Sequence, residues 1–336
     1  MLANFNLEPF NPSPLWLNAH AQTILANSLR PANGVVFHRL RLDTHDGDFI
    51  DLDFASVPGI KLPSSAPLVL LLHGLEGSAR SSYAYEMYRQ LARRGIRSVG
   101  MNYRSCSGEM NRTQSLYHAG KTDDVELVVN WLQDRMPGVH LGAVGFSLGA
   151  NMLLKYLGEK GEDTAVRAAA VVSPPFDLGR VSEAFEKSEG RRYARRFLRE
   201  LQSKALVHAR RNGSPVNLHR IMNVQSMRDF DDAFTAPLHG FRDAAEYYAV
   251  NSSGNFVPDI RVKTLVMRAL DDPFFASDIP HAVLAANENI IPALTPHGGH
   301  VGFAEGNHPR KFRYWAERQA ARFLATYLQE PNGRAW

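Results

Sequence analysis

Gly145-Phe146-Ser147-Leu148-Gly149 has the residue types and spacing to make a serine hydroxyl reactive. An apolar run, Val139 to Val144, precedes it, and a helix-forming run, Ala150 to Leu157, follows. Strand, then G-x-S-x-G, then helix is the layout of a nucleophile elbow. A serine at the tip of such a turn must take strained backbone angles. The flanking glycines let neighbouring backbone pass without a Cβ clash. Ser147 would then project its hydroxyl at the end of a sheet, with a helix N-terminus behind it to favour developing negative charge. Five residues can arise by chance, so their partners must decide.

Two further loops supply those partners. The run Val262 to Ala269 reads as a buried strand and opens into Leu270-Asp271-Asp272-Pro273. Ile290 to Leu294 opens into Pro296-His297-Gly298-Gly299-His300-Val301-Gly302. Loops just past strand ends are where such sheets carry reactive groups. His300, between glycines that allow close approach, is the expected general base. His297 is read as a loop-packing residue, since no cysteine or paired carboxylate completes a zinc set with it. Asp272 is the expected acid, ahead of Asp271, with Asp177 a third candidate after the Val171-Val172 strand; the losing aspartates would form turns. A fourth loop, His73-Gly74-Leu75-Glu76-Gly77-Ser78, follows the apolar run Pro67 to Leu72. Acyl transfer needs donors aimed at an oxyanion, and the backbone N–H groups of Leu75 and Leu148 are the expected pair. Phe146, Phe176, Phe274, Phe275 and Phe303 lie on or beside these loops. Each could be ordinary core, but together they favour an apolar acyl group, and Phe146, Phe274, Phe275 and Phe303 are the expected substrate contacts.

The elements that must position these residues follow from period and punctuation. Val35 to Leu42 and Asp48 to Phe54 read as an antiparallel edge pair across His45-Asp46-Gly47. Strand and helix then alternate: Pro67 to Leu72, Tyr83 to Arg94, Arg97 to Asn102, Thr122 to Arg135, Val139 to Val144, the elbow helix, and Arg167 to Val172. That rhythm calls for a mostly parallel sheet with helices on both faces. It is interrupted at about 174–258 by a charged, helix-prone insert between the sixth and seventh principal strands, read as a helical cap over the site. Two strands and a helix at about 309–327 complete a single α/β domain, with residues 1–34 as an N-terminal extension packed on the core.

With these residues in place, the chain resembles the α/β-hydrolase family that includes bacterial YheT-like proteins and the abhydrolase-domain lipases and esterases of the same branch. The resemblance spans most of the chain. It includes Leu17-Asn18-Ala19-His20-Ala21-Gln22-Thr23-Ile24, His73 to Gly77, Asn102-Tyr103-Arg104-Ser105-Cys106-Ser107-Gly108, and Tyr117-His118-Ala119-Gly120 with Asp123-Asp124. It continues through Gly145 to Asn151, Phe230-Asp231-Asp232 with Tyr247-Tyr248, Asp271 to Phe274, and Gly299 to Gly302. It implies an eight-stranded α/β-hydrolase fold and a serine hydrolase with Ser147 as nucleophile, His300 as base and Asp272 as acid. Acylglycerols and short- or medium-chain acyl esters are the implied substrates. Ser105 departs from the pattern, which has glycine there. Acyl transfer to an alcohol and a non-catalytic ligand-binding scaffold are the alternatives.

Composition sets bounds. The chain has 336 residues, 44% of them hydrophobic, enough for a sizeable core. Its one cysteine, Cys106, excludes an internal disulfide, and no strand-elbow-helix surrounds it to make it a nucleophile. No apolar run approaches the ~18 residues that span a bilayer. Met1 to Phe10 lacks a basic segment followed by a hydrophobic stretch, so no signal peptide is expected and the expected location is cytoplasmic. Net charge is +4. Arg191, Arg192, Arg195, Arg196 and Arg199 recur at helical spacing, either as a solvated face or as a cap surface that meets anionic lipid. Nucleic-acid binding is not expected, because no recognition motif accompanies the charge. Gly120-Lys121-Thr122 lacks the earlier glycine of a phosphate loop, Ser115 standing there. No cofactor or metal is expected, and the sequence does not set the oligomeric state.

Overall fold

Short apolar strands alternating with longer helices build one eight-stranded sheet in the computed structural model, which describes residues 5–187, 190–213, 216–275, 278–308 and 311–329. The strands are β1 (Val36–Asp43), β2 (Phe49–Ser56), β3 (Leu68–Leu72), β4 (Arg97–Asn102), β5 (Leu141–Phe146), β6 (Val166–Val172), β7 (Lys263–Ala269) and β8 (Ile290–Thr295). Their spatial order is β1-β2-β4-β3-β5-β6-β7-β8. β1 and β2 form the expected antiparallel edge hairpin, and β2 runs antiparallel to β4. All other pairings are parallel.

The principal helices are α1 (Ser82–Ala92), α2 (Thr122–Arg135), α3 (Leu148–Lys160), α4 (Leu178–Glu186), α5 (Arg191–Asn212), α6 (Ala244–Asn251) and α7 (Trp315–Leu328). Strand β3, Leu-Val-Leu-Leu-Leu, shows why the sheet needs helices on both faces. Its five residues are all buried, with alternate side chains pointing in opposite directions. Leu68, Leu70 and Leu72 pack in the core that holds Val125, Val128 and Leu132 of α2 and Leu153 and Leu154 of α3. Val69 and Leu71 pack with Ala84, Met87 and Leu91 of α1 and Phe323 and Leu324 of α7.

Between β6 and β7 the chain leaves the sheet and forms α4, α5, short helices at Leu218–Met222 and Met227–Phe230, a π-helical turn at Asp231–Thr235, and α6. These elements have an apolar cluster of their own, including Val181, Phe185, Leu198, Ile221 and Phe230, joined by Phe274 and Phe275 from the loop after β7.

The last helix starts at Trp315, later than the apolar pattern predicts. Arg313 and Tyr314 instead pair as a short strand with Glu305 and Ala304. Pro309, the expected helix start, lies outside the described residues, as do the first four residues of the N-terminal extension. Trp16 and Gln22 of that extension are fully buried.

Candidate functional site

The glycines around Ser147 are sterically required. Ser147 has φ +52° and ψ −119°, outside the regions ordinary residues occupy. A Cβ on Gly145 would lie 2.5 Å from Gly149 O, and one on Gly149 would lie 2.4 Å from Leu72 O. The turn closes only where both lack side chains. Its strain is held by the Ser147 N–H, which donates to Val172 O at 2.9 Å, and by α3, which starts at the next residue.

Ser147 Oγ lies 2.9 Å from His300 Nε2, and His300 Nδ1 lies 2.9 Å from Asp272 Oδ2. With the ring proton on Nδ1, the imidazole donates to Asp272 and accepts from Ser147. Asp272 is fully buried; its Oδ1 accepts from Phe274 N at 2.9 Å, and its Oδ2 also lies 3.0 Å from Arg268 Nη1. Burial alone would raise the Asp272 pKa. The neighbouring His300 and Arg268 charges, with those hydrogen bonds, outweigh burial and hold it below the ordinary carboxylate value.

The other acid candidates are occupied elsewhere. Asp271 accepts from Gly299 N at 2.8 Å and pairs with His297 at 3.3 Å, so both residues brace the histidine loop. Asp177 caps α4 by accepting from Arg180 N at 3.0 Å.

The N-terminal segment also braces that loop. Thr23 Oγ1 accepts from His300 N at 2.9 Å, and Gln22 bonds to Ala304 through both ends of its amide. A Cβ on Gly299 would lie 2.5 Å from Ala19 O. The sequence marks Ala19 to Ile24 through the resemblance, without saying what it touches. Only the fold reveals that Gln22 and Thr23 are buried beside exposed Ile24 and Leu25 and therefore need polar partners.

Leu75 and Leu148 line one cavity with Ser147 and His300. Leu148 is the first residue of α3, where backbone N–H groups lack intrahelical acceptors. The Leu75 loop is fixed from several sides. A Cβ on Gly74 would come within 3.3 Å of Ser147 Cβ, and Gly74 N donates to Tyr83 Oη at 2.8 Å. Burial drives the His73 imidazole down to about 3, so it is neutral; its Nδ1 donates to Gly74 O at 2.8 Å. Glu76 has a left-handed φ of +52°. Its N–H donates to Tyr117 Oη at 3.1 Å, and its carboxylate accepts from Tyr117 and, at 2.8 Å, from Lys204 Nζ of α5. Lys204 also lies 3.3 Å from Cys106 Sγ. Burial pushes that thiol up to about 11, which suits a packed residue rather than a nucleophile. Ser105, the departure from the family pattern, has a left-handed φ of +64°, which accounts for glycine in the pattern.

The cavity, about 480 Å³, lies between the sheet's C-terminal edge and the helices inserted after β6. Phe274 and Phe275 line it, with Phe185, Phe197, Leu201 and Phe230 from the insert. Phe146 and Phe303 do not. Phe146 is wholly buried and stacks on Tyr83 at 4.5 Å, because its position in β5 points it into the sheet core. Phe303 is likewise buried, stacked on Trp315 at 5.8 Å beneath α7. Phe176 is also core, leaving two of the five predicted aromatics on the cavity. Among the described residues, no three His, Cys, Asp or Glu side chains are grouped to hold a metal. A hydroxyl hydrogen-bonded to an imidazole, itself held by a buried carboxylate, can be deprotonated as it attacks an electrophile in this cavity.

Comparison with known proteins identifies the family. Residues 67–307 match the family model described as alpha/beta hydrolase fold. YheT of Escherichia coli (strain K12) is 38% identical over 95% of this chain and 94% of its own length. "Phospholipase ABHD3" of Mus musculus is 31% identical over 91% of this chain and 76% of its own. "Monoacylglycerol lipase" of Saccharomyces cerevisiae is 29% identical over 81% of this chain and 62% of its own. The esterase Pf2001 of Pyrococcus furiosus has the same fold, with a TM-score of 0.56 at 15% identity over 95% of this chain and 100% of its own.

Proposed function

Since the chain belongs to the α/β-hydrolase family, in its YheT-like branch, and is a hydrolase of esterase and lipase type, we propose that it cleaves carboxylic esters of short or medium acyl chains, acylglycerols among them, by a serine acyl-enzyme route. The observation that carries this reading is the unbroken hydrogen-bond chain from Ser147 through His300 to Asp272, opening onto a largely apolar cavity. His300 takes the Ser147 proton as Oγ attacks the ester carbonyl. The Leu75 and Leu148 N–H groups hold the oxyanion, and His300 returns the proton to the departing alkoxide. Water then attacks the acyl-enzyme by the same route. Asp272 keeps the imidazole oriented and stabilises its charged form. The inserted helices act as a cap: they supply the apolar wall for the acyl chain and exclude bulk water from the intermediate.

The same reading places lipid contact at the cavity mouth. Ile24, Arg196 and Phe197 line the mouth; Leu25, Leu29 and Arg192 are exposed on the same two segments, which His20 and Tyr193 join at 2.9 Å. Apolar side chains flanked by arginines suit an anionic membrane surface. Among the described residues, no helix is long and apolar enough to cross a membrane.

Fluorophosphonate labelling with p-nitrophenyl ester turnover tests the enzyme reading. Wild type should label and turn over, while Ser147→Ala, folded by circular dichroism, should not label and should lose at least about a thousandfold in kcat. Retained turnover in the folded variant would overturn the assignment.

A further inference from the structure

The cavity lining holds two unlike groups of side chains. Phe185, Phe197, Phe230 and Phe274 are apolar. Asp231, Thr235, Ser182 and Tyr248 form a polar patch, Tyr248 bonding to both Asp231 and Ser182. Tyr248 belongs with Leu178 and Tyr247 to the cluster on which Leu148 of the elbow packs. Asp231 is partly buried and lines the cavity. Tyr248 Oη donates to its Oδ2 at 2.7 Å, and the Thr235 hydroxyl also bonds to it. Two donors use only part of a carboxylate's acceptor capacity of about four lone-pair sites. Among the described residues no lysine, arginine or histidine pairs with it. Its neighbour Asp232 turns away and accepts from Ala244 N at 2.6 Å, tying down the start of α6. Asp232 thus has a structural task that Asp231 lacks. Adjacent on the π-helical turn Asp231–Thr235, the two carboxylates have different partners.

An acyl chain pressed on this patch would strip water from a carboxylate and return no hydrogen bond, a costly exchange. The part of the substrate that sits there must bring donors. Resting on the ester-hydrolase reading above, we infer that Asp231 determines specificity for the alcohol portion of the ester, accepting hydrogen bonds from the free hydroxyl groups of a polyol such as glycerol. The acyl chain then lies along the phenylalanines. Burial pushes the Asp231 carboxyl up to about 6, so it is ionised and accepting in mildly basic solution.

The test compares 1-octanoylglycerol with propyl octanoate at pH 8, esters that share the acyl group and the three-carbon alcohol and differ by two hydroxyls. Wild type should favour the glycerol ester by at least about tenfold in kcat/KM, the worth of a hydrogen bond to a charged group. In Asp231→Ala, which leaves no side-chain acceptor, the ratio should fall to within about threefold of unity. A purely structural role would lower both rates and leave the ratio unchanged, which would overturn the inference. So would a wild-type ratio near unity, a readout needing no variant, or a clear preference for octanoylcholine over both esters, which would mean cation recognition instead. Hydrolysis of none of the three would refute the ester-hydrolase reading, and this inference with it.

Discussion

Lys204 joins the helices inserted after β6 to the loop that presents the Leu75 N–H, and Lys204→Met should separate them. The Lys204–Glu76 pair is largely buried, with side chains 15% and 8% exposed. Removing one partner of a fully buried pair costs about 3–5 kcal/mol, and this residual exposure lowers the expected loss to about 2–3 kcal/mol. Glu76 also occupies a left-handed conformation that costs about 1–2 kcal/mol and persists only where surrounding contacts impose it. Tyr117 alone would have to hold the carboxylate once Lys204 is gone. The loop should relax, carrying the Leu75 N–H away from the oxyanion position proposed for it. Losing one such donor costs roughly a hundred- to a thousandfold in kcat. We therefore expect Lys204→Met to lower kcat for p-nitrophenyl butyrate about a hundredfold with KM changed less than about threefold, and to lower the melting temperature. Adding Glu76→Gln removes the stranded charge, so the double variant should regain at least tenfold of kcat. A single variant with kcat within threefold of wild type, or a double variant no better than the single, would refute this account of how the loop is held.

The remaining predictions address the acid, the elbow, the buried imidazole and the surface. Asp272→Asn should lower kcat about ten-thousandfold, as loss of the carboxylate does in related triads, while Asp271→Asn should cost under about tenfold because Asn can still accept from Gly299 N; the reverse ranking by steady-state kinetics would move the acid to Asp271. Gly149→Ala should destabilise the protein by at least about 2 kcal/mol in urea titration, since its Cβ would lie 2.4 Å from Leu72 O; an unchanged midpoint would refute the steric argument. His73 is held near 3 when folded against 6.5 when unfolded, so below pH 6.5 the unfolded chain gains a proton that the native state does not. Stability from this group is therefore complete above pH 6.5 and falls as pH drops toward 3, by up to about 5 kcal/mol over the full window. A His73→Gln variant should show a shallower fall of melting temperature between pH 6.5 and 4 than wild type, and equal slopes would contradict it. Arg192→Glu with Arg195→Glu should reduce flotation with anionic liposomes, and equal, negligible binding of wild type to anionic and neutral liposomes would end the proposal of lipid contact.

What could be read from the sequence was whatever is set by neighbours along the chain. The elbow is legible because its five residues fall between an apolar strand and a helix, and the clash that demands Gly145 is local, with Gly149 and Ala150. The clash that demands Gly149 comes instead from Leu72 and His73 at the end of the neighbouring strand. Strand β3 and helix α2 are legible because burial on two faces and a repeating apolar stripe leave periodic marks, and Thr122–Arg135 begins and ends where those marks do. What was not legible depends on residues distant in sequence. Asp271 and Asp272 are adjacent and alike in type. Only the fold turns one toward Gly299 and the other toward His300, each 28 residues away. Phe146 and Phe274 each neighbour a catalytic candidate, yet strand register sends the first into the core while the loop after β7 turns the second toward the cavity. Thr23 holds the His300 backbone from 277 residues away, and Lys204 holds the Leu75 loop through a residue 128 away. A periodic pattern records which face of an element is buried, but not what buries it. The reactive groups were therefore recognisable one by one, whereas the contacts that hold them within hydrogen-bonding distance exist only in the folded chain.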